Sequence, residues 1–178
     1  MNKSILLILV SAITALSAGI FAQYAIKNPE VKSDTSALPA IVLPDLQGKQ
    51  RNISEWQGKV IIVNFWATWC PPCLREIPEF ITLQQELGDK GLQFIGIAIE
   101  DLSPVAEYAK TMHINYPILI GDENGIALSV ALGNIINAVP FSVVIDQQGH
   151  IIHRHPGEFS RQQILDIVKP LLKTGNPS

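Results

Sequence analysis

One stretch constrains this chain more than any other. Val60-Ile-Ile-Val-Asn-Phe-Trp66 is a β-branched and aromatic run of the kind that forms a buried strand. Four residues later comes Cys70-Pro71-Pro72-Cys73. From Cys73 to Leu87 the spacing of Leu74, Ile77, Phe80, Ile81 and Leu87 predicts a helix with these residues on one side, followed by Gly88 and Gly91. Pro78 inside it is expected to bend it. The order is therefore strand, turn, helix, with a cysteine pair at the start of the helix.

The pattern continues downstream. A small hairpin around Gly48 is expected over Leu43 to Ile53. Leu92 to Ile99 reads as the next strand, Ser103-Pro104 as the cap and first turn of a helix reaching Met112, and Tyr116 to Ile120 as a short strand. Asn124 to Leu132 reads as a helix ended by Gly133. Pro140 to Asp146 and His150 to His153 read as strands around a Gln147-Gln-Gly149 turn, and Ser160 caps a final helix to Lys173. Strands alternating with helices, then a late hairpin, predict an α/β fold: a three-layer α/β/α sandwich with a central mixed sheet.

Residues 5–26 carry no charge and lie between Lys3 and Lys27. At 1.5 Å per residue such a helix spans about 33 Å, enough for a hydrocarbon core of about 30 Å. The expectation is a membrane anchor, or a signal peptide, over 1–27, a linker over 28–37 and a catalytic domain over 38–178. Small residues near Ser17 to Ala22 suit cleavage, but the run is long for a signal peptide. Lys3 favours an inside N-terminus and so a domain outside the cytoplasm, against the lipid bilayer. A formal net charge of −3 and the lack of any basic run among aromatics speak against nucleic acid.

The chain has two cysteines, three positions apart, so no disulfide joins distant parts of it. A thiol at a helix N-terminus sees unpaired N–H groups and the positive end of the helix dipole, which favour the thiolate. That points to thiol–disulfide exchange, Cys70 attacking and Cys73 resolving. Pro71 and Pro72 lack N–H groups, which removes two donors near Cys70 and argues for a reducing couple. Trp69 is expected to flank the thiol and to form part of the docking surface, while Trp66 reads as core. The pair could instead bind zinc or copper as a metal-delivery module, with His153 and His155 as further ligands. Zinc sites of this kind usually need a second Cys or His pair, so no metal or other cofactor is assigned. Arg75 and Glu76 read as solvated helix face.

Phe65-Trp-Ala-Thr-Trp-Cys-Pro-Pro-Cys73, Pro78 five residues on and Val139-Pro140 before a strand resemble the thioredoxin superfamily. Leu43-Pro-Asp-Leu-x-Gly-Lys49, Gly58-Lys59, Asn64 and Cys73-x-x-Glu76-x-Pro78 resemble its membrane-anchored TlpA/ResA-like thiol–disulfide oxidoreductases, as does an extra helix–strand unit over 103–120. The resemblance covers about residues 38–173. It implies a thioredoxin fold and a reductant of protein disulfides outside the cytoplasm, as in cytochrome c maturation, recharged by a membrane electron donor. A disulfide oxidase or isomerase is the alternative within this chemistry. The Pro-x-x-x-Thr-x-x-Cys of peroxiredoxins is missing, since Val63 and Ala67 stand where Pro and Thr would be.

The resemblance also supplies roles. It implies a cis Val139-Pro140 bond, with Val139, Pro140, Trp69, Pro71 and Pro72 meeting the substrate. The strand position of Asn64 is often Asp in thioredoxin-like proteins, where it moves protons at the resolving cysteine. Asn cannot titrate, so Glu100, at the end of the next strand, is the expected proton carrier for Cys73, with Asp101 as its alternate.

Overall fold

The computed structural model describes residues 41–172. The expected anchor over 1–27, the linker over 28–37 and the terminal Lys173 lie outside the described residues. Among the described residues no helix is long and apolar enough to cross a membrane.

The seven residues of β3 (Val60–Trp66) and the seven of β4 (Leu92–Ala98) are all buried. They pair in parallel from Val60↔Leu92 to Trp66↔Ala98. Central parallel strands are covered on both faces, which is why their sequences are almost unbroken apolar runs. β5 (Ile118–Ile120) extends the parallel set beyond β4. On the other side of β3, β6 (Phe141–Ile145) runs antiparallel, from Phe65↔Phe141 to Ile61↔Ile145, and β7 (Ile151–Pro156) pairs antiparallel with β6. The mixed sheet has the order β5-β4-β3-β6-β7. β1 (Val42–Pro44) and β2 (Gln50–Asn52) form the separate hairpin expected around Gly48.

Alternate residues of the strands feed two cores. Val60, Ile62, Trp66, Phe94, Ala98 and Val144 face α1 (Pro71–Leu87), α2 (Leu102–Thr111) and α4 (Arg161–Val168). Phe80 stacks on Phe94 there, with ring centroids 4.8 Å apart. Ile61, Val63, Phe65, Ile95, Ile97, Val143 and Ile145 face the other way, toward Leu43 of the hairpin, Ile53 and Trp56 after it, and Leu128 and Leu132 of α3 (Asp122–Ala131) and its end. The result is the expected three-layer α/β/α sandwich with the thioredoxin-type sheet and its added α2–β5 unit.

Several boundaries move. Cys70 is the N-cap of α1, which starts at Pro71 rather than Cys73 and continues across Pro78 to Leu87. α2 starts at Leu102 with Asp101, not Ser103, at the cap. Pro104 still falls in the first turn, where amides have no intrahelical acceptor and its missing N–H costs nothing. α3 begins at Asp122 instead of Asn124. β7 runs on to Pro156, and α4 closes at Val168 in a short 3-10 turn containing Pro170. Ser160 caps α4 as expected, reciprocally with Gln163.

Candidate active site

The C-terminal end of β3 delivers the chain through Ala67, Thr68 and Trp69 to Cys70. Cys70 and Cys73 form a disulfide, with Cα atoms 5.3 Å apart. Cys73 is fully buried and Cys70 is 3% exposed, whereas Trp69 beside them is 63% exposed. A helix N-cap normally uses an oxygen to accept from the first turn. Here the Cys70 Sγ takes that place and accepts from the Cys73 N–H at 3.3 Å. Pro71 and Pro72 occupy the intervening positions without donors.

The Val139-Pro140 bond is cis. Because β6 is antiparallel to β3, Phe141 sits opposite Phe65, which brings this loop to the end of the sheet where β3 leads into the dithiol. Val139 packs against the core cluster that contains Cys70, Cys73 and Trp66. Trp66 is core, as expected, at 1% exposure. Glu100 lies just beyond β4 and reaches Thr68 in the loop between β3 and α1. Its Oε1 accepts from the Thr68 N–H and its Oε2 accepts from the Thr68 hydroxyl at 2.9 Å. Asp101 occupies the N-cap position of α2, exposed and without a side-chain hydrogen bond to the first turn. His153 and His155 stack against Phe159, His155 with its ring centroid 4.3 Å away, and His155 Nε2 lies 3.0 Å from the Glu158 carbonyl.

Glu76 overturns its expected place. Arg75 is on the solvated face, paired with Glu158 at 2.7 Å, but Glu76 is 2% exposed. The buried row of α1 is Cys73, Glu76, Ile77, Phe80, Leu83 and Leu87, at i, i+3, i+4, i+7, i+10 and i+14, one face of the helix. Glu76 thus stands one turn after Cys73 on the same inward face. Its Oε1 accepts from Asn64 Nδ2 at 2.7 Å and its Oε2 accepts from the Phe159 N–H at 2.8 Å. Asn64 Nδ2 also reaches Ser142 Oγ at 3.0 Å. Burial pushes the Glu76 carboxyl up to about 7; the hydrogen bonds from Phe159 and Asn64 oppose this and the Glu158 charge adds to it. A carboxyl poised near neutrality, one helical turn from Cys73, can exchange a proton with that residue at working pH once the disulfide is reduced. The sequence carried a signal for it: an acid in step with the apolar row of a helix that must pack on a sheet.

Comparisons with known proteins agree with this geometry. The Redoxin family profile matches residues 32–169. The thiol-disulfide oxidoreductase ResA of Halalkalibacterium halodurans is 32% identical over 133 residues, covering 72% of this chain and 73% of the relative. That of Bacillus cereus is 28% identical over 176 residues, covering 96% and 99%. Among solved structures, a thiol:disulfide interchange protein of the thioredoxin family from Chlorobium tepidum superposes with a TM-score of 0.71 at 33% identity, covering 79% of this chain and 99% of that one.

Proposed function

We propose that this chain, which belongs to the Redoxin family and is a thiol–disulfide oxidoreductase of the TlpA/ResA-like thioredoxin type, works as a reductant of protein disulfides outside the cytoplasm, held to the membrane by residues 5–26. The Cys70 thiolate attacks one sulfur of a substrate disulfide, forms a mixed disulfide and releases the other substrate sulfur as a thiolate. Cys73 loses its proton and attacks the Cys70 sulfur. The substrate leaves with its second thiolate, two electrons have passed to it, and the Cys70–Cys73 disulfide remains. A membrane dithiol donor restores the reduced pair. Trp69, Pro71, Pro72 and Val139 form the face that meets the substrate, with the buried Pro140 beneath it, and the cysteines of an apocytochrome c fit this chemistry as a substrate.

Of the two carboxyl groups, Glu76 is better fitted to take the Cys73 proton, because it lies on the same buried helix face and titrates near neutrality. Glu100, the carrier expected from the sequence, holds Thr68 from the loop side and is the alternative carrier.

The reductive direction rests on one observation. The Cys70 sulfur accepts from the Cys73 N–H, and the two nearer helix positions are prolines with nothing to donate. A thiolate so sparsely stabilised keeps its reduced form high in energy. Equilibration with glutathione is expected to give a potential near thioredoxin's, about −270 mV; one near about −120 mV, as in the oxidant DsbA, would overturn the assignment.

A further inference from the structure

Ile135 and Ile136 stand 90% and 67% exposed, the highest values among the large apolar side chains of the described residues. Their loop is braced from within. Asn134, only 2% exposed, donates from Nδ2 to Ser129 Oγ at 3.2 Å and to the Ala138 carbonyl at 2.9 Å, and its Oδ1 accepts from the Ala138 N–H at 3.3 Å. The Asn137 N–H closes the turn onto the Asn134 carbonyl at 3.0 Å. Gly133 has φ +105°, and a Cβ there would come within 2.7 Å of Arg154 Cδ. Arg154 fits beneath it and donates from Nε to the Leu132 carbonyl at 2.8 Å. Single exposed apolar residues are ordinary, but a pair held outward by a buried asparagine is a built feature.

Beside the pair lies a cavity of about 230 Å³ lined by Gly133, Asn134, Ile135, Ile136, Phe141, Arg154 and Pro156. Small-molecule pockets run to about 300–1,000 Å³, so this one suits a single side chain. The same loop continues into Val139 and the cis Pro140, four residues after Ile136. Four residues reach at most about 14 Å. The loop stands at the end of the sheet where β3 leads into Cys70. An extended polypeptide lying along Pro140 therefore needs about four residues to reach Ile136.

We propose that Ile135, Ile136 and the adjoining cavity are an apolar subsite for the disulfide-bearing polypeptide substrate, taking one large aliphatic or aromatic side chain within about four residues of the reacting cysteine. The subsite rests on the thiol–disulfide exchange reading and adds sequence preference to it.

The test uses the full chain, reduced, in detergent micelles. Its second-order rate of oxidation is measured with disulfide-linked dimers of cysteine peptides, either all serine elsewhere or with one leucine moved through the four positions on each side. Glutathione disulfide is the reference, so that only rate ratios are compared. Leucine at one or two positions is expected to raise the peptide-to-glutathione ratio about 10-fold, the low end for an apolar pocket. I135S/I136S is expected to abolish that gain, and I135L/I136L to keep it. A gain that survives I135S/I136S, or no gain at any position, overturns the subsite while leaving the exchange reading intact. A dimer seen by sedimentation that I135S/I136S dissolves, with peptide ratios unchanged, gives the pair to a second copy and also overturns it. Failure of every disulfide to oxidise the reduced pair overturns the exchange reading itself.

Discussion

Replacing Glu76 with Gln should separate the proton chemistry of this site from its packing. The side chains are nearly isosteric, and Gln can keep the Phe159 N–H on its oxygen. Its amide then faces Asn64 Nδ2, which can turn its own oxygen inward. If Asn64 does not turn, one buried group is left unpaired, at a cost of about 1–3 kcal/mol. The charge effect is separable by pH. Glu76 titrates at about 7 in the fold against 4.5 outside it. Between those values the folded protein holds a proton that the unfolded chain has lost. The resulting stabilisation is full below pH 4.5 and is lost as pH rises through 7. A shift of about 2.5 units at about 1.36 kcal/mol per unit amounts to about 3 kcal/mol. Urea unfolding of the oxidised protein at pH 5 and pH 8 is expected to show most of this fall in wild type and none of it in Glu76→Gln. In stopped-flow resolution of a mixed disulfide, the variant should be about 10²–10⁴-fold slower near neutral pH. Parallel pH–stability curves together with equal resolution rates would refute the reasoning, and Glu100→Gln would then be the variant to follow.

Pro71→Ala restores an N–H beside the Cys70 sulfur. A hydrogen bond to a charged group contributes about 1.5–3 kcal/mol, so the Cys70 thiol pKa should fall by about 1–2 units and the potential should rise; thiolate absorbance against pH reads the first, and an unchanged titration would contradict it. In fractionated cells the chain should stay in the membrane through carbonate washing and leave it only with detergent. A soluble mature form lacking the first two dozen or so residues would show a cleaved signal peptide instead.

The sheet and the cysteine pair were legible in the sequence for the same reason. Val60–Trp66 and Leu92–Ala98 are buried on both faces, so their apolar runs announce themselves without long-range information. The cysteines follow at a fixed distance along the chain. Glu76 was not read correctly, because Leu74 and Ile81 look as suited to the buried stripe of α1 as Glu76 and Leu83 do. Which stripe faces inward depends on how α1 packs against Phe94 and Phe159, contacts made far along the chain. The partners of Glu76 make the same point: Asn64, 12 residues earlier, and Phe159, 83 residues later, meet it only through the fold. The cap of α2 was misplaced by a local ambiguity, since Asp101 and Ser103 are both good N-cap residues.

Cys73→Ala tests the central claim most directly. With no resolving thiol, a Cys70-linked mixed disulfide cannot be released by its own enzyme. In cells producing this variant, non-reducing gels followed by mass spectrometry should find envelope proteins bonded through Cys70 and freed by dithiothreitol, with nothing captured by Cys70→Ala/Cys73→Ala. No captured protein with Cys73→Ala, or the same bands in the double variant, would contradict exchange through Cys70.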